Sequence, residues 1–183
     1  MKILHISKGD IKGGAFIAAY RIHCSLREKN IDSYMWVDTK ISNDPTVMTT
    51  EHTFLNKKLA ILKTVLTRIL LKIMKKDNRV IHSPSFLSSS WVKKINESDA
   101  DVINLHWVNR EMLSIEDIGM IKKPLVWTLH DMWAFCGMEH HAKDNRWREG
   151  YQKHNKPKNE FGFDLNRWTW NRKKNIGKNQ FKL

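Results

Sequence analysis

The chain has 183 residues, 41% of them hydrophobic and eight of them tryptophan, which suits a single domain with a substantial core. Its 32 lysines and arginines against 19 acidic residues give a formal net charge of +13, which favours an anionic partner: nucleic acid, an acidic membrane surface or a phosphorylated ligand. Cys24 and Cys136 form no CxxC pair, so the sequence supports neither a disulfide framework nor a cysteine zinc site.

Export and membrane spanning are both disfavoured by the apolar pattern. The N-terminus MKILHISKGD reaches polar residues too early to build the apolar core of a signal peptide. No uninterrupted apolar stretch of about 20 residues is present to span a bilayer. We therefore expect a cytoplasmic protein, since a reducing cytosol also suits the cysteine usage.

The predicted elements begin with a strand at residues 2–7, a glycine turn, a helix over 15–30 and a second strand at 33–38. This order is a βαβ unit, whose strands are parallel. Further along the chain, the alternation predicts three more strands and two short helices. The strands are 79–84, which is the weakest, 101–107 and 124–130, and the helices lie at about 88–97 and 114–122.

Together these elements predict an α/β fold with a mostly parallel sheet. In such sheets ligands bind outside the carboxyl ends of the strands, near a switch in strand order. That rule brings the turn containing Gly13 and Gly14, the segment from His106 to Asn109, and His130 with Asp131 to one rim.

Two of these features have alternative explanations. The KGGA turn lets the backbone approach a phosphate or sugar at a helix N-terminus, but it is neither GxGxxG nor a Walker loop, and a tight turn alone would also need glycine. At the end of the strand in VWTLHDMWAFCG, residues 126–137, the pair His130 and Asp131 is either a working site or a turn capped by the carboxylate.

Residues 54–76 interrupt the alternation with a basic amphipathic helix. It carries seven cations and no acid. One face holds Leu55, Leu59, Leu62, Leu66, Ile69, Leu70 and Ile73, and the opposite face holds Lys57, Lys58, Arg68, Lys72, Lys75 and Lys76. Such a helix either lies in an acidic membrane interface or packs its apolar face on the sheet.

The C-terminal third is rich in aromatic and basic residues. We expect Trp133, Phe135, Trp147, Trp168 and Trp170 in the core or in a cleft wall, and the polar stretch RWREGYQKHNKPKN as a surface loop. A further group could suggest a metal, but its spacing matches neither HExxH nor a zinc finger, so no metal site is predicted. This group consists of Glu139, His140, His141 and His154.

Several of these stretches together resemble the N-terminal part of bacterial group 1 glycosyltransferases of family 4, which build capsule, exopolysaccharide or lipopolysaccharide. The resemblance lies in the GGA turn, DVINLHW, LSIEDI, KPLVWTLHDMWAFCG, RWREGY and DLNRWTWNRKK. It implies the first, acceptor-side domain of a GT-B enzyme, a Rossmann-like sheet flanked by helices. It also implies retaining sugar transfer from a nucleotide sugar to a glycan or lipid-linked acceptor, with no metal or other cofactor.

The resemblance also implies roles for individual residues. Gly13 and Gly14 would line the cleft near donor phosphate or acceptor, and His106 with Asn109 would form part of the acceptor wall. His130 would contact the donor sugar near the reacting carbon, with Asp131 beside it fixing its tautomer.

The second GT-B domain, which grips the nucleotide diphosphate, has no counterpart in residues 1–183. The resemblance therefore implies a single acceptor-side domain that is truncated and inactive alone, or is completed by a separately encoded C-terminal half. A different reading is a basic non-enzymatic binding protein for nucleic acid or an acidic membrane. Nucleic acid is the less favoured partner, because the sequence has no zinc finger, RNP-type motif or recognisable helix-turn-helix.

Overall fold

The computed structural model describes residues 1–49, 54–73, 80–158, 160 and 162–180. The end of the predicted basic helix, residues 74–76, and the first residue of the predicted strand 79–84 lie outside the described residues. The side chains of residues 54–60, 73 and 177–180 lie outside them as well.

A five-stranded, all-parallel sheet forms the centre of the protein, as the strand and helix alternation predicts. Its strands are β1 (Lys2–Gly9), β2 (Asp32–Thr39), β3 (Val47–Thr49), β4 (Val102–Leu105) and β5 (Leu125–Trp127). Their order is β3-β2-β1-β4-β5, the Rossmann-like order in which the chain reverses direction across the sheet between β1 and β4.

Helices flank this sheet. They are α1 (Gly14–Glu28), α2 (Phe54–Ile73), α3 (Trp91–Glu97), α4 (Ile115–Gly119), α5 (Arg146–Glu149) and α6 (Leu165–Gln180). α1 ends where Asn30 takes up a left-handed conformation, which asparagine tolerates better than most residues. A capping box between Ser114 and Asp117 begins α4.

The two faces of the sheet differ in chemistry. One face carries Leu4, Ile6, Ile103 and Leu105, which pack with Trp91, Ile95, Ile115 and Trp133 into the main apolar core. The other face is covered by α1 over β1 and β2, where Ala19, Met35, Val37 and Val47 form a smaller apolar cluster. Because side chains alternate along a strand, His5 lies between Leu4 and Ile6 and points to this second face.

Two local predictions were wrong. Residues 80–84 form no ladder, only an isolated bridge between His82 and Glu139, because Ser83 and Ile81 bond to the 138–140 segment instead of to the sheet. The stretch from Arg146 is not a plain surface loop: it contains α5, and Arg146 and Tyr151 are buried. Arg146 is held inside by ion pairs with Asp144 and Glu160.

The orientation of α2 also differs from one of the two alternatives. Five exposed apolar side chains form what we call the outer face of α2: Ile61, Leu62, Val65, Leu66 and Ile69. Thr64, Arg68 and Lys72 are exposed on the same helix. Leu62 and Ile69 are 53% and 50% exposed, whereas Thr67 is buried against the protein. Among the described side chains of this helix, the predicted apolar face therefore does not pack on the sheet.

Candidate functional site

The candidate site lies at the carboxyl edge of the sheet, at the switch between β1 and β4. The backbone continues the parallel pairing beyond both strands: His106 N donates to Ile6 O at 2.9 Å, and Thr128 N donates to Leu105 O at 2.8 Å. This pairing holds the segments after β4 and β5 side by side. It is the place where ligands bind in open α/β sheets.

Three imidazoles cross this edge on one face of the sheet. His5 belongs to β1, and His106 and His130 follow β4 and β5. The register pairs His5 with Asn104 and Asn104 with Val126, so that two-residue steps place His106 and His130 on the face of His5. The sheet therefore lines up three residues that are far apart in sequence.

The three rings form a hydrogen-bonded row, which we call the histidine row. His5 Nδ1 lies 2.9 Å from His106 Nε2, and His106 Nδ1 lies 3.0 Å from His130 Nε2. Both pairs of rings are stacked at a centroid distance of 5.2 Å. His23 of α1 packs edge-on against His5 and bonds to Ser33 and Thr46 with its two ring nitrogens.

The row is neutral at physiological pH. Burial, followed by the neighbouring imidazoles, lowers the pKa of His5 to about 4 and that of His106 to about 3. Burial also lowers the pKa of His130, against the opposing pull of the Asp131 carboxylate. The environment therefore favours the neutral ring of His130.

Asp131 bonds to other partners than His130. Its Oδ2 accepts from Trp107 Nε1 at 2.8 Å and from His140 Nδ1 at 2.5 Å, and its Oδ1 accepts from the Trp133 amide at 2.9 Å. Burial alone would raise the pKa of this carboxyl, but the bonds from His140, Trp133 and Trp107 hold the pKa below its ordinary value.

The expectation that Asp131 fixes the tautomer of His130 is therefore wrong. The ring partner of His130 is His106, and the carboxylate acts on His130 only through its charge. The reason is geometric, because the turn after β5 directs the Asp131 side chain toward Trp107 and His140.

His140 joins Asp131 to Ser83, whose Oγ lies 2.9 Å from His140 Nε2. The connectivity Asp, His, Ser is that of a hydrolase triad. Ser83, however, is only 1% exposed and its backbone is bound on both sides, with Trp133 Nε1 donating to its carbonyl and its amide donating to Met138. This network ties the loop after β5 to the 80–85 segment and presents no accessible nucleophile.

The residues predicted for the acceptor wall lie just beneath the surface. His106 and Asn109 are 2% and 3% exposed, so neither side chain meets a ligand directly in this structure. His106 acts on the rim through His130, and Asn109 Nδ2 lies 3.3 Å from His140 Nε2. Their predicted roles in the acceptor wall stay predictions. Because both side chains are buried, they could act on a ligand only by positioning His130 and His140.

The glycine turn is exposed at the same edge. Gly13 is the N-cap of α1 with φ 122°, a conformation that side-chain-bearing residues rarely adopt. A Cβ on Gly14 would meet no heavy atom of a described residue within 4 Å. Backbone conformation therefore requires glycine at position 13 and not at position 14.

Two cationic side chains line open cavities along this rim. Arg110 and Lys8 both border a cavity of about 520 Å³ beneath α2 and another of about 340 Å³ next to Phe16 and Trp107. Lys8 pairs with Asp38 at 3.0 Å. The Arg110 guanidinium stacks on Trp107 at 5.6 Å and has no ion-pair partner among the described residues.

The backbone that carries Arg110 is strained. Arg110 and Glu111 are consecutive non-glycine residues with φ 54° and 60°. The Glu111 carboxylate is buried and accepts bonds from the amides of Ser85 and Leu87, which hold the strained turn in place. Such conformations concentrate at binding and catalytic sites.

The residues that first suggested a metal are committed elsewhere. His140 bonds to Asp131 and Ser83, and Glu139 accepts from Tyr151. Within the described part of the chain, no group of three or more His, Cys, Asp or Glu side chains is arranged to hold a metal ion. The prediction of no metal stays a prediction.

His5 belongs to the site but was not singled out from the sequence. His140 was considered only as a possible metal ligand, and Trp107 only as part of the segment from His106 to Asn109. His5 lies in an apolar strand, KILHISKG, where a single imidazole is typical of a core residue whose hydrogen bonds are made inside the protein. A signal was present, because a polar side chain recurs at two-residue steps in His5 and Ser7, and again in Asn104 and His106. Polar faces on adjacent strands predict a buried polar network.

No protein-family model, curated protein or solved structure matches the chain. Within the described residues, no helix is long and apolar enough to cross a bilayer. Functional inference therefore rests on the arrangement at the carboxyl edge of the sheet.

Proposed function

We propose that the chain is the acceptor-side domain of a retaining group 1 glycosyltransferase, which transfers a sugar from a nucleotide sugar to a glycan or lipid-linked acceptor of a surface polysaccharide. Such a domain works with a donor-binding half, which a separately encoded chain could supply. In this proposal the half-buried His130 contacts the donor sugar at the cleft, and Asp131 positions the loop that carries it.

The observation that carries the proposal is the convergence at the switch point. His130, the Gly13 turn and the cationic rim with Lys8 and Arg110 all belong to the carboxyl edge of the strands. A glycosyl donor is anionic at its diphosphate and polar at its sugar, so cations and a neutral imidazole donor are the groups it requires. Trp107 and Phe16 add an apolar wall at the same cavity.

The test is sugar transfer with labelled nucleotide sugars and a membrane fraction as acceptor source. The chain is assayed alone and together with the product of the neighbouring reading frame. His130→Ala is the site variant, and His154→Ala, at an exposed position, is its matched control.

Transfer that needs His130 and is unaffected by the His154 substitution supports the proposal, whether the chain acts alone or requires the second gene product. The proposal would be overturned if no nucleotide sugar binds in saturation-transfer NMR and no sugar is transferred by the chain, either alone or with the second gene product. Activity of the isolated chain would contradict only the expectation that this domain is inactive alone.

We further propose a peripheral position on the inner face of an acidic membrane, with the outer face of α2 in the interface. The helix leaves five large apolar side chains exposed, and three of them, Leu62, Leu66 and Ile69, do not line the cavity beneath α2. Such exposure is costly in water. Arg68 and Lys72 accompany them on an element without an acidic residue. Each well-placed cation adds roughly 1 kcal/mol of attraction to an anionic leaflet.

Vesicle flotation tests this location. We expect binding to vesicles containing phosphatidylglycerol and little binding to pure phosphatidylcholine. Replacing Leu62 and Ile69 together by serine should reduce binding at least tenfold, whereas Met120→Ser, which alters an equally exposed side chain outside α2, should not. If the double variant binds as tightly as the wild type, the outer face of α2 is not the membrane contact.

The net charge of +13 supports a second candidate function, in which the chain is a basic protein that binds nucleic acid. Affinity for duplex DNA that falls steeply with salt would support it. That result, combined with no binding of nucleotide sugars, would favour this candidate over sugar transfer.

A further inference from the structure

The histidine row has a property that follows from its two ends. A neutral imidazole has one N–H, and a hydrogen bond between two ring nitrogens needs one donor and one acceptor. His106 makes two such bonds, to His5 and to His130. If it donates to one neighbour, it must accept from the other.

Both bonds of the row therefore point in the same direction. In the outward direction all three rings carry the proton on Nδ1: His5 donates to His106, and His106 donates to His130. In the inward direction all three carry it on Nε2. The two arrangements have the same charge and the same number of hydrogen bonds, so the row behaves as one two-state unit.

The buried end decides between them. His5 Nε2 is buried and has no hydrogen-bond partner among the described residues. In the inward direction this atom would be an N–H donor without an acceptor, whereas in the outward direction it is a lone pair. Orphaned buried N–H groups are rarer than unsatisfied acceptors, because the desolvated donor retains its full cost.

We propose that His5 and His106 are positioning residues that hold His130 as an Nδ1–H donor at the rim. His130 then offers a hydrogen bond to an acceptor oxygen of a ligand and does not remove a proton from it. This inference rests on the proposed function for the identity of that ligand, a phosphate or sugar oxygen of the glycosyl donor. The tautomer itself can be measured without any ligand.

The direct test is long-range ¹H–¹⁵N correlation NMR of the imidazoles in the ¹⁵N-labelled protein at neutral pH. His130→Gln and His106→Gln assign the signals by their loss, and the exposed His154 serves as an internal reference. We expect His130 to be protonated on Nδ1. Protonation on Nε2 would overturn the inference, and this result needs no variant beyond those used for assignment.

Two substitutions of His5 test the direction of the row. In His5→Asn an amide nitrogen takes the place of Nδ1 and can still donate to His106, whereas His5→Leu removes the donor. We expect the asparagine variant to keep His130 protonated on Nδ1, and the leucine variant to lose that state to a mixture of tautomers. Equal behaviour of the two variants would contradict the role of His5.

The tautomer and the proposed function can fail separately. Sugar transfer that is absent with His130 protonated on Nδ1 would reject the enzymatic proposal and leave the row intact. Transfer that depends on His130, observed with the proton on Nε2, would support the enzymatic proposal and reject the inferred tautomer. If the tautomer and the proposed function both hold, His5→Leu should lower kcat and leave KM nearly unchanged, because it alters a hydrogen bond and removes no binding surface.

Discussion

His106 Nδ1 lies 3.0 Å from His130 Nε2, and this bond joins the core of the sheet to its rim. His106 is buried and His130 is half-buried. Because the two rings share this hydrogen bond, a change in the protonation of His106 alters the hydrogen bonding of His130. The bond extends a chain that begins at His5. Acidification should therefore affect both the stability of the fold and the state of the site.

The first prediction concerns acid stability. The pKa values of His5 and His106, about 4 and about 3, lie below the unfolded value of about 6.5. The unfolded chain then binds more protons than the native chain as pH falls from about 6.5 to about 4, so stability decreases in that window. We expect a loss on the order of 3 kcal/mol for each of the two rings, measured by urea unfolding at successive pH values.

Substitutions separate this effect from general acid denaturation. His5→Asn removes one buried titrating ring and should flatten the dependence on pH between 6.5 and 4. His154→Asn removes an exposed ring and should leave the dependence unchanged. A wild-type protein that is equally stable at both ends of this window would show that the row is not buried and neutral in solution.

The second prediction concerns Asp131, whose two oxygens accept three bonds. Asp131→Asn places an N–H opposite another donor. It should lower the free energy of unfolding by about 2 to 3 kcal/mol, measured with urea at pH 7. Because the native pKa of this carboxyl lies below its ordinary value of 3.8, the contribution is present above about pH 4 and is lost as pH falls below it. Asp32→Asn, at an exposed position, is the control and should be nearly neutral.

The parallel sheet could be predicted because its signal is local: apolar runs alternate with amphipathic segments, and that order permits few topologies. The membership of the site was harder to predict. His5 and His106 are separated by 101 positions, and only the strand register brings their rings together. Sequence periodicity assigns each of them to a face without saying which strands are neighbours.

Errors in the other elements have similar causes. β3 has three residues, too few for a periodic pattern, and it is set by pairing with β2. The segment around Ser83 resembles a strand in composition, but Trp133 and Met138 take its backbone bonds. In both cases tertiary contacts outweighed local preference.

The third prediction compares the two glycines of the KGGA turn. Gly13→Ala forces a side chain onto a backbone with φ 122° and should cost about 1 to 3 kcal/mol. Gly14→Ala lies in the first turn of α1 with open space around the new methyl group, and should stabilise the fold by about 0.5 to 1 kcal/mol. Thermal unfolding of the pair measures both, and equal effects would contradict the assigned conformation of Gly13.

The fourth prediction concerns anion binding at the rim. Arg110 borders two cavities beside Lys8, and its guanidinium, which has no ion-pair partner in the described part of the chain, can bind a phosphate. Arg110→Gln should weaken binding of inorganic pyrophosphate about tenfold in calorimetry at low salt, close to the loss of one charge-assisted contact. Arg148→Gln, an exposed arginine that stacks on Trp147, should have no such effect. Equal loss in both variants would indicate only a general effect of net charge.

The last prediction concerns the docking of α6 behind the site. A Cβ on Gly137 would lie 2.7 Å from Asn166 Cβ and 2.8 Å from Asn166 Cα, so backbone would have to move. A Cβ on Gly119 would lie 3.1 Å from Ile176 Cγ2, at the end of a side chain that can turn away. Overpacking against backbone should cost Gly137→Ala about 1 to 3 kcal/mol, with much less for Gly119→Ala.

The consequence for the site can be measured by limited proteolysis. Lys173 of α6 donates to the carbonyls of Trp133, Cys136 and Gly137, which end the loop that begins with Asp131. If Gly137→Ala displaces α6, cleavage within residues 165–176 should become faster, and the His140 bond to Asp131 should weaken in NMR. Unchanged proteolysis together with a lower free energy of unfolding would place the strain in the loop alone and would show that α6 docks independently of it.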